Sequence, residues 1–323
     1  MKYVPMGKTG IDVSRITFGC WEMGGAQWEF TDDDNNIQVI NKALEMGVTT
    51  FDTAEGYGNG HSEEVLGKAL EGKRKNLVIA TKVAPSHLRA VDIRESVTNS
   101  LKRLRTDYID LYYIHWPNPE IPIEETMGEM DKLKKEGLIR AIGASNFRVE
   151  LLEKASAISR IDAIQPEYSL LHRGIEPEIL PWCLKNSVSI MSYSSIAKGI
   201  LAGVFHINGV QLKDDDFRAP RRLFSKEHFE FEKPIVNLVK EIADAKGVSM
   251  SQIAIAWLLG KEGMTSTIVG TQKEKHLLDN LAAIDVTLTA DEEARLDKVS
   301  AEVLMNIDGS LGEIAQIMGS ARK

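Results

Sequence analysis

Cysteine is scarce in this chain. Cys20 and Cys183 are the only two among 323 residues, far apart and outside any C-x-x-C spacing. They read as buried thiols in a reducing compartment, not as a disulfide framework. Basic charge is in deficit as well: the formal net charge is −8. That excludes a general nucleic-acid or anionic-membrane surface, though not a local basic pocket for a phosphorylated ligand. Long apolar runs are missing. No stretch approaches the roughly 18 residues of a membrane span, and the opening MKYVPMGKTG has no signal-type core. A soluble, cytoplasmic protein with no membrane partner is expected. The seven histidines form no H-x-H or H-E-x-x-H pair, so no metal site is expected. No internal repeat, low-complexity tract or linker composition interrupts the chain, which predicts a single domain over 1–323. At 43% hydrophobic it can bury a large core.

What the chain does contain is alternation. Short apolar runs at 15–21, 49–54, 77–83, 109–116, 139–146, 162–169, 188–195 and 266–271 read as eight strands. Between them lie amphipathic segments with three- and four-residue spacing. One covers 90–105, with Ile93, Val97, Leu101 and Leu104 on one face. Another covers 123–137, with Ile123, Met127, Met130 and Leu133 together and Gly137 as its stop. Thr31 or Asp32 is placed to cap a helix over 33–46 that Gly47 ends. Strands without clean alternation, each followed by a helix, indicate a parallel sheet covered by helices. Eight such units favour an α/β fold of the (β/α)₈ TIM-barrel type over an open doubly wound sheet. The barrel is expected over about 15–300, with a tail over about 304–323. Residues 1–15, with the turn Lys8-Thr9-Gly10, suit an N-terminal hairpin plugging the barrel bottom. The stretch 203–234 reads as a long loop after strand seven, functional or disordered. Residues 249–263 form an extra helix before the last strand.

The segment FDTAEGYGNGHSEE (51–64) resembles a dinucleotide fingerprint without being one. His61 stands where G-x-G-x-x-G needs its third glycine, and the next strand ends in Lys82 instead of an acid. Barrel chemistry sits at the C-terminal ends of strands. There the sequence places Asp52 and Tyr57 after the second strand, Lys82 on the third and His115 on the fourth. Taken singly, each has a bland reading: a cap, a snorkelling lysine, a loop aromatic, a core histidine. Together they suit proton delivery to a carbonyl oxygen. A free tyrosine, with a pKa of about 10, is a weak acid at neutral pH. An ammonium beside it lowers that pKa, and Asp52 keeps the ammonium charged. His115 would orient the substrate oxygen or share the proton.

Several motifs then occur in order: F-D-T-A-x-x-Y-G at 51–58, A-T-K at 80–82, the H-W of YYIHWPNP, G-x-S-N-F at 143–147 and Q-P-E-Y-S at 165–169. Together they resemble the aldo-keto reductase superfamily from about residue 3 to residue 300. K-R-L-x-T-D-Y-I-D-L-Y at 102–112 and Y-x-S-x-x-x-G-x-L at 193–201 resemble its bacterial branch that includes general-stress members. The resemblance implies the same barrel, with Asp52, Tyr57, Lys82 and His115 as catalytic tetrad and Tyr57 as proton donor.

It also implies a nicotinamide cofactor, NADPH, with NADH as the alternative. Ser145, Asn146 and Gln165 would hold the carboxamide, Asp52 would border it, and Tyr193 would stack on the ring. Cys20 and Trp21 match a further cofactor-contacting position. Ser194, Ser195, Ile196, Ala197, Lys198 and Gly199 would bind the pyrophosphate, with Arg218 folding over the cofactor. The segment 268–281 lines up with the family's phosphate-binding turn and helix N-terminus. Gly270, Thr271, Gln272, Lys273, His276 and Asn280 fall in it. Gln272 stands where a basic residue is common, which weakens the clamp on a 2′-phosphate, although Lys273, Lys275 and His276 remain near. The substrate would be a small carbonyl compound above the tetrad, near Trp21, Trp28 and Trp116. Two other readings stand beside a reductase. One is a nucleotide-binding sensor barrel with vestigial activity, the other a lyase using Lys82 as a Schiff base.

Overall fold

The computed structural model describes residues 1–25, 32–213, 216 and 218–306. Trp28, Thr31, Asp214, Asp215, Phe217 and the tail 307–323, all part of the sequence reading, lie outside them. The chain divides into two compact units. The first comprises Met1–Pro166, Pro177–Tyr193 and Glu262–Leu281; the second comprises Glu167–Glu176, Ser194–Lys261 and the chain from Ala282.

The first unit opens with an antiparallel hairpin, β1 (Tyr3–Pro5) against β2 (Asp12–Ser14). Gly7 and Gly10 make its turn at φ +52° and +71°. The Thr9 hydroxyl donates to the Met6 carbonyl at 2.7 Å and accepts from the Ile11 N–H at 3.1 Å. Met6, Ile11 and Val13 pack in one buried cluster with Val78, Ala80, Leu111, Tyr113, Ala141, Ala163 and Met191 from the barrel strands. The hairpin is thus the expected plug.

Eight parallel strands close the barrel: β3 (Ile16–Gly19), β4 (Thr50–Asp52), β5 (Val78–Val83), β6 (Ile109–Ile114), β7 (Ile139–Ser145), β8 (Ala163–Gln165), β9 (Ser189–Ser192) and β10 (Met264–Gly270), with β10 pairing back on β3. Every residue of β5 and β6 is buried, as strands covered on both faces require. Each strand falls within or close to its predicted run, mostly shorter. The run 162–169 contracts to three residues because Pro166 has no N–H to continue the ladder.

Around this unit lie α1 (Asp33–Glu45), α2 (His61–Ala69), α3 (Ala90–Leu104), α4 (Ile123–Lys135), α5 (Val149–Ile158), α6 (Ile179–Asn186) and, after the second unit's α7 and α8, α9 (Glu274–Ala282). Asp32 caps α1, its carboxylate accepting from the Asn35 N–H at 3.0 Å. The faces shift slightly from expectation. In α3 the small residues Ser96 and Ser100 are buried beside Ile93, Val97 and Leu104, whereas Leu101 is half-exposed. Small side chains let that helix approach its neighbours.

The second unit holds α7 (Lys226–Lys246), α8 (Met250–Gly260) and α10 (Ala290–Asn306). The long connection is shorter than 203–234, because α7 begins at Lys226. Ser225 caps it by accepting from the His228 N–H, and Pro234 sits inside the helix. Its polar composition and internal proline masked the helical turns in the sequence. Ser249 caps α8, the expected extra helix.

Candidate active site

β4 ends at Asp52, and the chain turns through Ala54–Tyr57, with the Tyr57 N–H donating to the Ala54 carbonyl at 3.0 Å. The turn is packed backbone to backbone against the turn Trp21–Gly24. A Cβ on Gly24 would meet Tyr57 C at 2.7 Å, and one on Gly58 (φ +60°) would meet Gly24 O at 1.8 Å. Gly60, at φ +94°, abuts Arg103, whereas Gly56 faces open space. Two of the three loop glycines are therefore sterically required.

The loop brings Tyr57 onto Lys82. The Lys82 ammonium, with no exposed surface, donates three hydrogen bonds: to Asp52 Oδ1 at 2.6 Å, to the Thr53 carbonyl at 2.7 Å and to the Tyr57 hydroxyl at 3.1 Å. An ammonium has three donors and no acceptor, so it is saturated. The Tyr57 oxygen must accept in that bond, which leaves its own proton to donate elsewhere. His115 follows β6, its ring edge-on to Tyr57 with centroids 5.6 Å apart, while the Trp21 ring lies 6.5 Å from Tyr57. Trp116 is half-buried beside His115 in sequence.

Burial sets the protonation states as much as charge does. It works against the Lys82 ammonium, but Asp52 and Tyr57 together outweigh it, and the Lys82 pKa lies above its ordinary value. Burial lifts the Asp52 carboxyl above the usual carboxylate range, with Lys82 and the Gln165 amide holding part of the lift back. Tyr57 departs from expectation. Lys82 does pull its pKa down, but burial, joined by Asp52, pushes harder, so the phenol titrates above its ordinary value. Desolvation and the Lys82 charge bring His115 down to about 3, leaving a neutral imidazole at physiological pH. A neutral ring can orient an oxygen but holds no spare proton to share.

A hydrogen-bonded chain leads from the tetrad to the residues read as nicotinamide contacts. Gln165 Nε2 donates to Asp52 Oδ2 at 2.7 Å, and Ser145 Oγ donates to the Gln165 carbonyl at 2.7 Å. Asn146, at φ +62°, donates from Nδ2 to Ser145 Oγ at 2.9 Å and to the His115 carbonyl at 3.1 Å. The Tyr193 hydroxyl donates to Asn146 Oδ1 at 3.0 Å. Nothing in the spacing of the residues indicates that Gln165 reaches Asp52, since the two are far apart in the chain. Cys20 is fully buried beside this cluster; desolvation and Asp52 raise its thiol, opposed in part by Lys82. Its carbonyl accepts from Ser62 Oγ at 2.7 Å.

The predicted phosphate turn has two kinds of residue. Gly270 lies against Gly19 so closely that a Cβ would meet the Gly19 carbonyl at 2.8 Å. Thr271 is buried and accepts from the Lys273 N–H at 3.1 Å, and Asn280 is also buried. Gln272 is committed to the fold: its Nε2 donates to the Glu22 carbonyl at 3.1 Å, and its backbone carbonyl accepts from Asn35 Nδ2 at 2.8 Å. Lys273, Lys275 and His276 are exposed.

Within the second unit, Ser194, Ala197, Lys198 and Gly199 all adopt positive φ (57°, 47°, 54° and 103°), and Ser195 and Ile196 complete the run. Such a backbone forms anion-binding concavities. Lys198 Nζ donates to Glu167 Oε1 at 2.6 Å and to Ser194 Oγ at 3.0 Å. Arg218 forms a fork with Asp216, its Nε 2.9 Å from Oδ1 and its Nη2 2.6 Å from Oδ2, and donates to the Lys198 carbonyl at 3.4 Å.

Known proteins share both scaffold and sequence. Residues 15–301 match the profile of the Aldo/keto reductase family. Aldo-keto reductase YhdN of Bacillus subtilis (strain 168) is 39% identical over 288 residues, which cover 86% of this chain and 87% of that one. The structure of glycerol dehydrogenase AKR11B4 from Gluconobacter oxydans superposes with a TM-score of 0.86 at 31% identity, covering 94% of this chain and 96% of that one. The structure of an aldo/keto reductase from Klebsiella pneumoniae in complex with NADP and acetate gives 0.75 at 31% identity, covering 93% and 96%. Eight parallel strands closed into a barrel, a match over nearly the whole chain and relatives of this identity have one meaning: the chain belongs to the aldo/keto reductase family of oxidoreductases.

Proposed function

We propose that this protein reduces aldehyde or ketone carbonyls to alcohols with NADPH, or NADH, and that Tyr57 supplies the proton. The observation that carries the reading is the three-way saturation of Lys82 by Asp52, Thr53 and Tyr57. A bound nicotinamide would supply the hydride for the carbonyl carbon. The chain's own residues do the rest. Tyr57, kept protonated by burial and aimed away from Lys82, donates to the oxygen as negative charge grows there. Lys82 stabilises the phenolate that remains, so the ammonium acts after the proton has left more than before. His115, neutral, offers a hydrogen bond that orients the carbonyl.

The donor set suits the cofactor. Ser145, Asn146, Gln165 and Tyr193 present neutral amides and hydroxyls of the kind a carboxamide-bearing ring requires, and the carboxylate near them, Asp52, is paired with Lys82. Gly270, Thr271, Lys273, His276 and Asn280 would hold the adenosine phosphate end, whereas the Gln272 side chain is taken up by the Glu22 carbonyl. With the glutamine diverted, discrimination for the 2′-phosphate would rest on exposed Lys273 and His276, and a modest NADPH preference follows. The run Ser194–Gly199 has a backbone suited to a phosphate, and the Klebsiella relative with NADP supports the same choice. A Schiff-base role for Lys82 is disfavoured, because a saturated, paired ammonium offers no lone pair.

Tyr57→Phe tests the reading. Carbonyl reduction is expected to fall by about 10²–10⁴-fold, the usual worth of a general acid. Binding of NADPH, followed by quenching of tryptophan fluorescence, should stay close to that of the unmodified protein. Turnover within a factor of about three of that protein would place the proton source elsewhere.

A further inference from the structure

The β4–β5 ladder does not stop where β4 does. The Thr53 N–H donates to the Ala80 carbonyl at 2.9 Å, and the Glu55 N–H donates to the Lys82 carbonyl at 3.3 Å. The next rung would need another backbone acceptor alongside Ala84, but there the chain has already turned away through Gly56 toward Tyr57. A side chain fills the gap. Glu55 Oε1 accepts from the Ala84 N–H at 2.7 Å, and the same oxygen lies 2.9 Å from His87 Nδ1. The carboxylate is only 9% exposed, so water does not readily replace it.

Glu55 therefore grips the chain at two points, by its backbone N–H at the Lys82 carbonyl and by its carboxylate two residues later, at the Ala84 N–H. The residue two positions after Glu55 is Tyr57. We infer that Glu55 is a positioning residue whose carboxylate replaces a missing ladder rung, holding the Tyr57 turn at its fixed distance from the Lys82 ammonium. This rests on the reading of Tyr57 as proton donor. The chemistry needed of Glu55 is that of an acceptor, not of a charge: the Ala84 N–H is satisfied by any oxygen at that point. In this role it acts only through the tyrosine it holds.

The test compares two substitutions of nearly equal shape. Glu55→Met removes the acceptor, and Glu55→Gln keeps it while removing the charge. Both are assayed as full-length protein with NADPH and the best substrate among benzaldehyde, methylglyoxal and xylose. Tyr57→Phe is run beside them, and thermal melting checks folding. In Glu55→Met, kcat is expected to fall by about 10–100-fold, as for a misplacement on the ångström scale, with the Kd for NADPH unchanged. In Glu55→Gln most of that loss should be recovered. A Glu55→Met protein that turns over at the unmodified rate overturns the inference, and so does a Glu55→Gln protein as slow as Glu55→Met. If Glu55→Met does not fold, Glu55→Gln still decides: turnover reduced about tenfold or more in that variant overturns the acceptor role. Failure of the underlying reading looks different, since Tyr57→Phe itself would then keep its activity.

Discussion

Two buried carboxylates in the first unit share a barrel and differ in everything that matters for chemistry. Asp110 stands near the start of β6 and Asp52 at the end of β4. Asp110 accepts from Arg74 and, at 2.6 Å, from Arg140, while its Oδ2 also accepts from the Ile79 N–H at 2.9 Å. Both partners are guanidinium groups that never lose their charge, so the cluster has no proton to give. Asp52 is held instead by an amide and by one ammonium, and the ammonium spends its third bond on a phenol. The first arrangement is closed and the second ends in a transferable proton. The barrel thus carries a carboxylate that braces its strand starts and another that, on the proposed function, equips its strand ends, in keeping with the division between stability and catalysis in this fold.

The comparison can be broken most sharply at Lys82. Lys82→Met strands Asp52 without its cation, and losing one partner of a buried pair typically costs about 3–5 kcal/mol. Both the melting temperature and carbonyl reduction should therefore fall, the latter by about 10²-fold or more. Asp110→Ala is the converse experiment. It leaves Arg74 and Arg140, which are partly exposed, and orphans the Ile79 N–H, so a loss of about 2–3 kcal/mol is expected in denaturant unfolding. The kcat at a temperature where the variant is folded should match that of the unmodified protein. A large fall in kcat there would erase the contrast between the two ends.

A finer test lies inside the tyrosine loop. Gly58→Ala must force a Cβ onto the Gly24 carbonyl at positive φ, and a cost of about 1–3 kcal/mol with slower turnover is expected. Gly56→Ala meets nothing within 4 Å and should change stability by less than about 0.5 kcal/mol. Equal effects from the two would mean that the loop is not held by the contact with the Trp21–Gly24 turn.

The smallest expected effect is the absence of one. His115 titrates at about 3, and the proposed mechanism needs Tyr57 in its protonated form, which burial preserves. The kcat for reduction should accordingly be flat between about pH 5 and 8, where an ordinary histidine would titrate, and decline only at alkaline pH as the phenol loses its proton. A step near pH 6.5 would show the imidazole carrying a proton in the reaction.

Much of this was legible in the residues. The strand runs, the hairpin turn at Thr9-Gly10 and the cap at Asp32 are local patterns, and local geometry reproduces them. The pairing of Asp52 with Lys82 was also legible, because neighbouring strands of a parallel sheet end side by side. The rest was not. The bond from Gln165 to Asp52 crosses the barrel, and no periodicity encodes it. The diversion of Gln272 to Glu22 and the grip of Glu55 on Ala84 depend on where two turns meet. The first turns of α7 were hidden because a capped polar helix with an internal proline has the composition of a loop.

By itself, the order of residues determined the number of barrel strands, the closed parallel sheet and which functional groups arrive at its C-terminal ends, since short apolar runs, three- to four-residue helical spacing and turn chemistry are short-range properties. Only the tertiary structure decided how those groups are charged and aimed. Desolvation lifts Tyr57 despite its lysine and holds His115 neutral, and both follow from how completely the packed barrel excludes water around them.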